Sequence, residues 1–104
     1  MISASQRQRF LNDVEELFVW YLEKADEATA LAFKESLKAT IEILSARPFK
    51  GRPYPTRDPR LRNLRLVQVE APFQKILVFY SASETELELV RLIHGARDLP
   101  RRLR

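Results

Sequence analysis

From residue 5 the apolar residues recur at helical spacing. Phe10, Val14, Leu17, Phe18 and Tyr21 form one stripe, with Asp13, Glu16, Glu23 and Lys24 placed mainly on the other side. Ser5-Gln6-Arg7-Gln8 has the S-x-x-Q form of a capping box, which places the helix start there. Asp26 is the next N-cap candidate, and Asp26 and Glu27 sit where a helix dipole favours negative charge. A second stripe runs through Ala30, Phe33, Leu37, Thr40, Ile41 and Leu44. Pro48 disfavours helical geometry at Arg47, so the second helix should stop near there. Two amphipathic helices joined by a few residues pack antiparallel, as a hairpin. Trp20 lies beside the first stripe and suits core or rim packing better than a ligand platform.

The pattern then changes. Four of the six prolines and Gly51 fall within Pro48–Pro59, which reads as a loop carrying Lys50, Arg52 and Arg57, with Arg60 just after it. Strand-like runs follow at about 61–69, 74–80 and 86–93, separated at Ala71-Pro72 and at Ser81-Ala82-Ser83. The second run is apolar on both faces after Gln74 and Lys75, which suits a central strand. In the first, Leu64 and Leu66 share one face while Val67 and Val69 lie on the other, a pattern that predicts a twist or bulge. The order ααβββ predicts a monomeric α+β domain spanning 1–104, with the hairpin on one face of a three-stranded, possibly four-stranded, antiparallel sheet.

At 104 residues and 45% hydrophobic content, the chain suffices for one domain with a modest core. The absence of cysteine excludes disulfide scaffolds, zinc fingers and thiol chemistry. With His94 the single histidine, a metal site would rest mainly on carboxylates, and neither metal nor cofactor is expected. The longest apolar run, Leu17 to Leu22, is far below the roughly 20 residues that span a bilayer. The first residues have no apolar signal region, so a cytoplasmic protein without membrane association is expected.

Charge divides the chain unevenly. Residues 1–46 hold 5 Lys and Arg against 8 Asp and Glu, a balance of −3; residues 47–104 hold 13 against 6, or +7, together the net +4. A basic half suggests a face for phosphates or for an acidic protein partner, although a solubilising surface would look the same. His94 closes the third strand, bracketed by Arg91 and Arg97. A histidine at a strand end is commonly a satisfied polar residue. An Arg/His cluster could also polarise a phosphate and move a proton, as RNA cleavage through the 2′-hydroxyl requires. Arg97-Asp98 could equally be a local ion pair that holds the tail. No Ser–His–Asp spacing, glycine-rich phosphate loop or RNA-binding aromatic signature is present.

The segments Phe73–Tyr80 and Val90-Arg91-Leu92-Ile93-His94-Gly95-Ala96-Arg97-Asp98-Leu99 resemble the carboxy-terminal half of the RelE/ParE toxins, the ParE branch more closely. Leu44-Ser45-Ala46-Arg47-Pro48-Phe49-Lys50-Gly51 is similar to that family's helix exit, and Leu61-Arg62-Asn63-Leu64-Arg65 to its entry into the sheet. The resemblance covers roughly residues 5–100. It implies the toxin of a type II toxin–antitoxin module, inhibiting growth and neutralised by a cognate antitoxin whose tail wraps helices and sheet. The ParE branch acts on DNA gyrase; the RelE branch cuts messenger RNA in the ribosome. A basic nucleic-acid-binding module is the competing class. On the resemblance, Arg62, Arg65, Arg91 and Arg97 are antitoxin- or target-binding candidates, with Arg62, Arg65 and Arg91 meeting antitoxin carboxylates. In the nuclease alternative, Arg65, Arg91, His94 and Arg97 would be catalytic. Three differences from the family stand out. Only Met1–Ala4 precede the capping box, so the family's first strand is expected to be truncated or absent. Ser81 stands where the family often has arginine. The aromatic that the nucleases carry after the Arg97 position is missing from Pro100–Arg104. The last two weigh against nuclease action.

Overall fold

The computed structural model describes residues 2–95. In order along the chain lie β1 (Ala4–Gln6), α1 (Gln8–Lys24), α2 (Glu27–Ala46), β2 (Arg52–Pro53), a 3-10 turn (Pro59–Leu61), β3 (Leu64–Gln68), β4 (Ile76–Ala82) and β5 (Leu87–His94). The strands form one sheet in the order β1-β5-β4-β3-β2. The class is the predicted α+β, and β4 is central as its two apolar faces suggested.

Among the described residues the sheet has five strands and is mixed, where three or four antiparallel strands are expected. β1 is present, though only three residues long, and pairs in parallel with β5, Ala4 opposite Leu87 and Gln6 opposite Leu89. It takes up Ser5 and Gln6 of the stretch read as a capping box, and Gln8 begins α1. Arg7 is the N-cap, with no side-chain cap bond, while Gln8 Nε2 donates to Asn12 Oδ1 at 2.9 Å. Its backbone carries the connection instead, Arg7 N–H donating to Leu89 C=O at 3.0 Å. The second cap is as predicted. Asp26 accepts from Thr29 N–H at 2.7 Å, and hydrogen bonds from the Thr29 side chain and then this N–H hold its carboxyl below the ordinary value.

The hairpin covers one sheet face. Phe10, Leu17, Phe33, Leu37 and Leu44 pack with Val69, Phe73, Ile76, Val78, Tyr80, Leu87, Leu89 and Leu92. Thr40, inside the second stripe, is buried and bridges α2 to the end of β3: it donates to Ser36 C=O at 2.8 Å and accepts from Glu70 N–H at 3.0 Å. A smaller cluster of Leu64, Leu66, Phe79, Val90 and Ile93 fills the opposite face, with Tyr54, Leu61 and Leu77 packed on it. Tyr54 meets Phe79 edge-on at 5.2 Å. This second cluster explains why β3 is apolar on both sides. Its pairing with β4 runs unbroken from Leu64–Ser81 to Gln68–Leu77, so the bulge predicted for β3 is absent there. The irregularity lies in β5: Phe79 pairs with Arg91 and Tyr80 with Leu89, which leaves Val90 as the extra residue. Among the described residues no helix is long and apolar enough to cross a membrane.

Candidate functional site

The β5 bulge reorients Arg91. Among the described residues no strand lies beside the outer edge of β5 beyond Gln6, and α1 crosses there instead. Asp13 projects from α1 into that gap, only 4% exposed. Its Oδ2 accepts from Arg91 Nε at 2.8 Å and from Leu92 N–H at 2.9 Å, and its Oδ1 accepts from Arg91 Nη2 at 3.2 Å. One carboxylate thus satisfies a strand-edge amide and clasps a guanidinium by both oxygens. The expectation that Asp13 keeps to the solvent side is overturned, because β5 supplies a buried cation and an unpaired amide. Its spacing could have revealed this: Phe10, Asp13 and Leu17, at i, i+3 and i+7, share one helix face.

Arg65 sits two strands away in β3. It is opposite Tyr80 and therefore on the helix-facing side. Its Nη1 donates to Phe49 C=O at 3.2 Å and to Gly51 C=O, and its guanidinium lies 5.1 Å from the centre of the Phe49 ring. Gly51 N–H donates to Tyr80 Oη at 2.8 Å. A Cβ on Gly51 would come within 2.8 Å of Leu66 C=O and collide with the phenol, so close approach requires glycine here. Burial pushes the Tyr80 phenol above its ordinary value, opposed by the Gly51 hydrogen bond and the nearby Arg65 charge. The loop after α2 is therefore pinned at Gly51 from two sides, by Arg65 and Tyr80.

Arg62 is exposed in the turn before β3, and its carbonyl accepts from Ser81 Oγ at 2.8 Å. His94 ends β5 half-buried, its ring centre 5.6 Å from that of Trp20. Trp20 in turn meets Tyr21 edge-on at 5.0 Å, which makes it a packing residue at the rim of the core. Arg97 lies outside the described residues. The structure does not gather the described candidates into one cluster. Arg65 is opposite Tyr80 and His94 opposite Ile76, so their backbones stand two strands and four residues apart. At about 4.8 Å per strand and 3.3 Å per residue, that separation is roughly 16 Å. Arg91 lies between them along β5, committed to Asp13.

Phe49, Gly51, Tyr80 and Asp13, which tie Arg65 and Arg91 into the fold, were not among the candidates. These elements define a small α+β domain in which a helical hairpin backs a mixed sheet with basic residues along its strands. The same fold occurs in the chromosomal ParDE toxin–antitoxin system from P. aeruginosa, at 15% identity and a TM-score of 0.70, covering 90% of this chain and 96% of that one. It occurs too in the E. coli DinJ–YafQ toxin–antitoxin complex (14%, TM-score 0.61, 91% and 93% covered). A third likeness is the solution structure of the conserved hypothetical protein HP0894 from Helicobacter pylori (18%, TM-score 0.53, 92% and 97%). No curated protein matches the sequence. Residues 5–99 match the family described as the ParE toxin of the type II toxin–antitoxin system, parDE, and the chain belongs to that family.

Proposed function

We propose that this toxin inhibits growth by binding DNA gyrase in the cytoplasm and is neutralised there by a cognate antitoxin. The observation that carries the choice of gyrase over RNA cleavage is the dispersal, among the described residues, of Arg65, Arg91 and His94. Cleavage through a 2′-hydroxyl needs a proton acceptor, a proton donor and charge-stabilising arginines around one phosphate. Here Arg65 and His94 are roughly 16 Å apart by strand geometry, and the Arg91 guanidinium is clasped by Asp13. An inhibitor that acts by binding needs no such convergence.

The antitoxin reading is supported by likeness to chains solved from toxin–antitoxin systems and by the basic second half, which suits an acidic tail. Within it, exposed Arg62 and half-buried Arg65 are read as meeting the antitoxin's carboxylates or the target. Arg91 contributes only what its clasp leaves accessible, and Arg97 remains a candidate for either surface. The test is induction in bacteria, with plasmid topology and messenger-RNA ends compared in the same culture. Relaxed plasmid with intact transcripts supports gyrase. Transcripts cut at ribosomal positions with unchanged supercoiling would overturn it.

A further inference from the structure

The loop that Arg65 and Tyr80 pin in place presents an exposed aromatic among cations. From Ile43 to Arg57 the chain has no acidic residue, yet it carries Arg47, Lys50, Arg52 and Arg57. Arg47, Lys50 and Arg52 are exposed, and Phe49, between the first two, is 50% exposed. Arg52 and Pro53 form β2, the outermost strand, with Arg52 opposite Leu66 and Pro53 opposite Arg65. Arg52 and Arg65 therefore flank one sheet edge from its two faces. The Arg65 guanidinium covers one side of the Phe49 ring and donates to the backbone through Nη1. Among the described residues nothing accepts from its Nε or Nη2. A groove runs from Phe49 past Pro53 and Arg65 to Ser83, where Glu84 is the acidic member of its lining.

A large apolar side chain held in solvent against a guanidinium does nothing for the core. We propose that this corner is a contact surface for single-stranded nucleic acid. Arg47, Lys50, Arg52 and Arg65 take backbone phosphates along the sheet edge, and the open side of Phe49 stacks on a base. The Gly51 anchors hold the loop before any strand arrives, so little ordering is lost on binding. An acidic peptide would use the cations but gain little from an open ring face, which favours the polynucleotide. The inference deepens the gyrase reading and rests on it for the source of the strand, namely duplex opened at the enzyme. The binding itself is measured without gyrase.

The experiment is fluorescence anisotropy of the full chain with a labelled oligothymidylate of about 20 nucleotides, from about 20 to 200 mM salt. Lys50→Ala with Arg52→Ala should make the slope of log affinity on log salt shallower by about 1.4, since each phosphate contact on a single strand contributes about 0.7. Taking the difference between slopes isolates the corner from the chain's other arginines. Phe49→Ala should weaken binding about 5- to 150-fold, and Phe49→Leu, which keeps an apolar side chain but no ring, should do much the same. Stacking and phosphate contacts read no 2′-hydroxyl, so oligouridylate should bind within about threefold of oligothymidylate. The inference is overturned by no binding at low salt, by variants that change neither slope nor affinity, by roughly tenfold preference for oligouridylate, or by polyglutamate binding more tightly than either strand. Supercoiling assays on the same preparations separate the two ideas. Normal strand binding without gyrase inhibition defeats the gyrase reading alone, and gyrase inhibition without strand binding defeats this inference alone.

Discussion

Replacing Asp13 by alanine tests the clasp that joins α1 to β5. The substitution removes both oxygens that hold Arg91 and the acceptor for Leu92 N–H. The side chains are 18% exposed for Arg91 and 5% for Asp13, so solvent screens the pair little. Removing one partner of a buried pair costs about 3–5 kcal/mol, because the other is left charged and uncompensated. For a domain near 100 residues each kcal/mol shifts the melting midpoint by about 4–8 °C, so the variant should be near the limit of folding. Asp13→Asn keeps one acceptor and should lose less, about 1–3 kcal/mol. Asp13→Ala with Arg91→Ala should be more stable than the sum of the single losses implies, since no orphan guanidinium remains. Urea unfolding at neutral pH, at constant slope, measures the wild type, Asp13→Ala, Asp13→Asn, Arg91→Ala and the double variant. A loss under about 1 kcal/mol for Asp13→Ala, or simple additivity in the double variant, would refute the clasp as a stabilising element.

Leu37→Ala should cost about 2–5 kcal/mol in the same assay, because Leu37 is buried where the hairpin meets the sheet; a change near zero would remove it from the core. Gly51→Ala should destabilise by about 1–3 kcal/mol through the collision with Tyr80 and Leu66, and combining it with Tyr80→Phe should recover part of that loss by removing Oη. The raised Tyr80 pKa means that the fold favours the neutral phenol, so its contribution is complete below the unfolded value near 10 and falls as pH rises above it. Tyr80→Phe should therefore flatten the alkaline limb of a stability–pH curve, and an unchanged limb would contradict the buried phenol.

The parts of the fold that the sequence made legible are those with long repeats. Seventeen- and twenty-residue helices repeat their stripes often enough to be unmistakable, and the Asp26 cap is a local signal. β1 and β2, with three and two residues, are too short for alternation to appear, and both owe their pairing to neighbours distant in the chain. The Ser5-x-x-Gln8 pattern was misleading because β5 offers that backbone a partner that a capping box cannot match. β3 looked irregular because a strand covered on both faces loses its alternation; the actual bulge at Val90 left no mark in a run of apolar residues. For the candidate site, the sequence named the arginines but not their partners. Asp13 and Arg91 are 78 positions apart, and no periodicity reports a contact over that distance. Phe49 and Gly51 were visible as a loop, while their hold on Arg65 arises only from the β2–β3 pairing.

Gyrase inhibition is tested by supercoiling of relaxed plasmid by purified gyrase, with purified toxin added alone and then with its antitoxin. Dose-dependent loss of supercoiling or accumulation of cleaved plasmid is expected, reversed by antitoxin and retained by His94→Ala. Undiminished supercoiling at toxin in large excess, together with His94-dependent cleavage of messenger RNA in a translation extract, would contradict it.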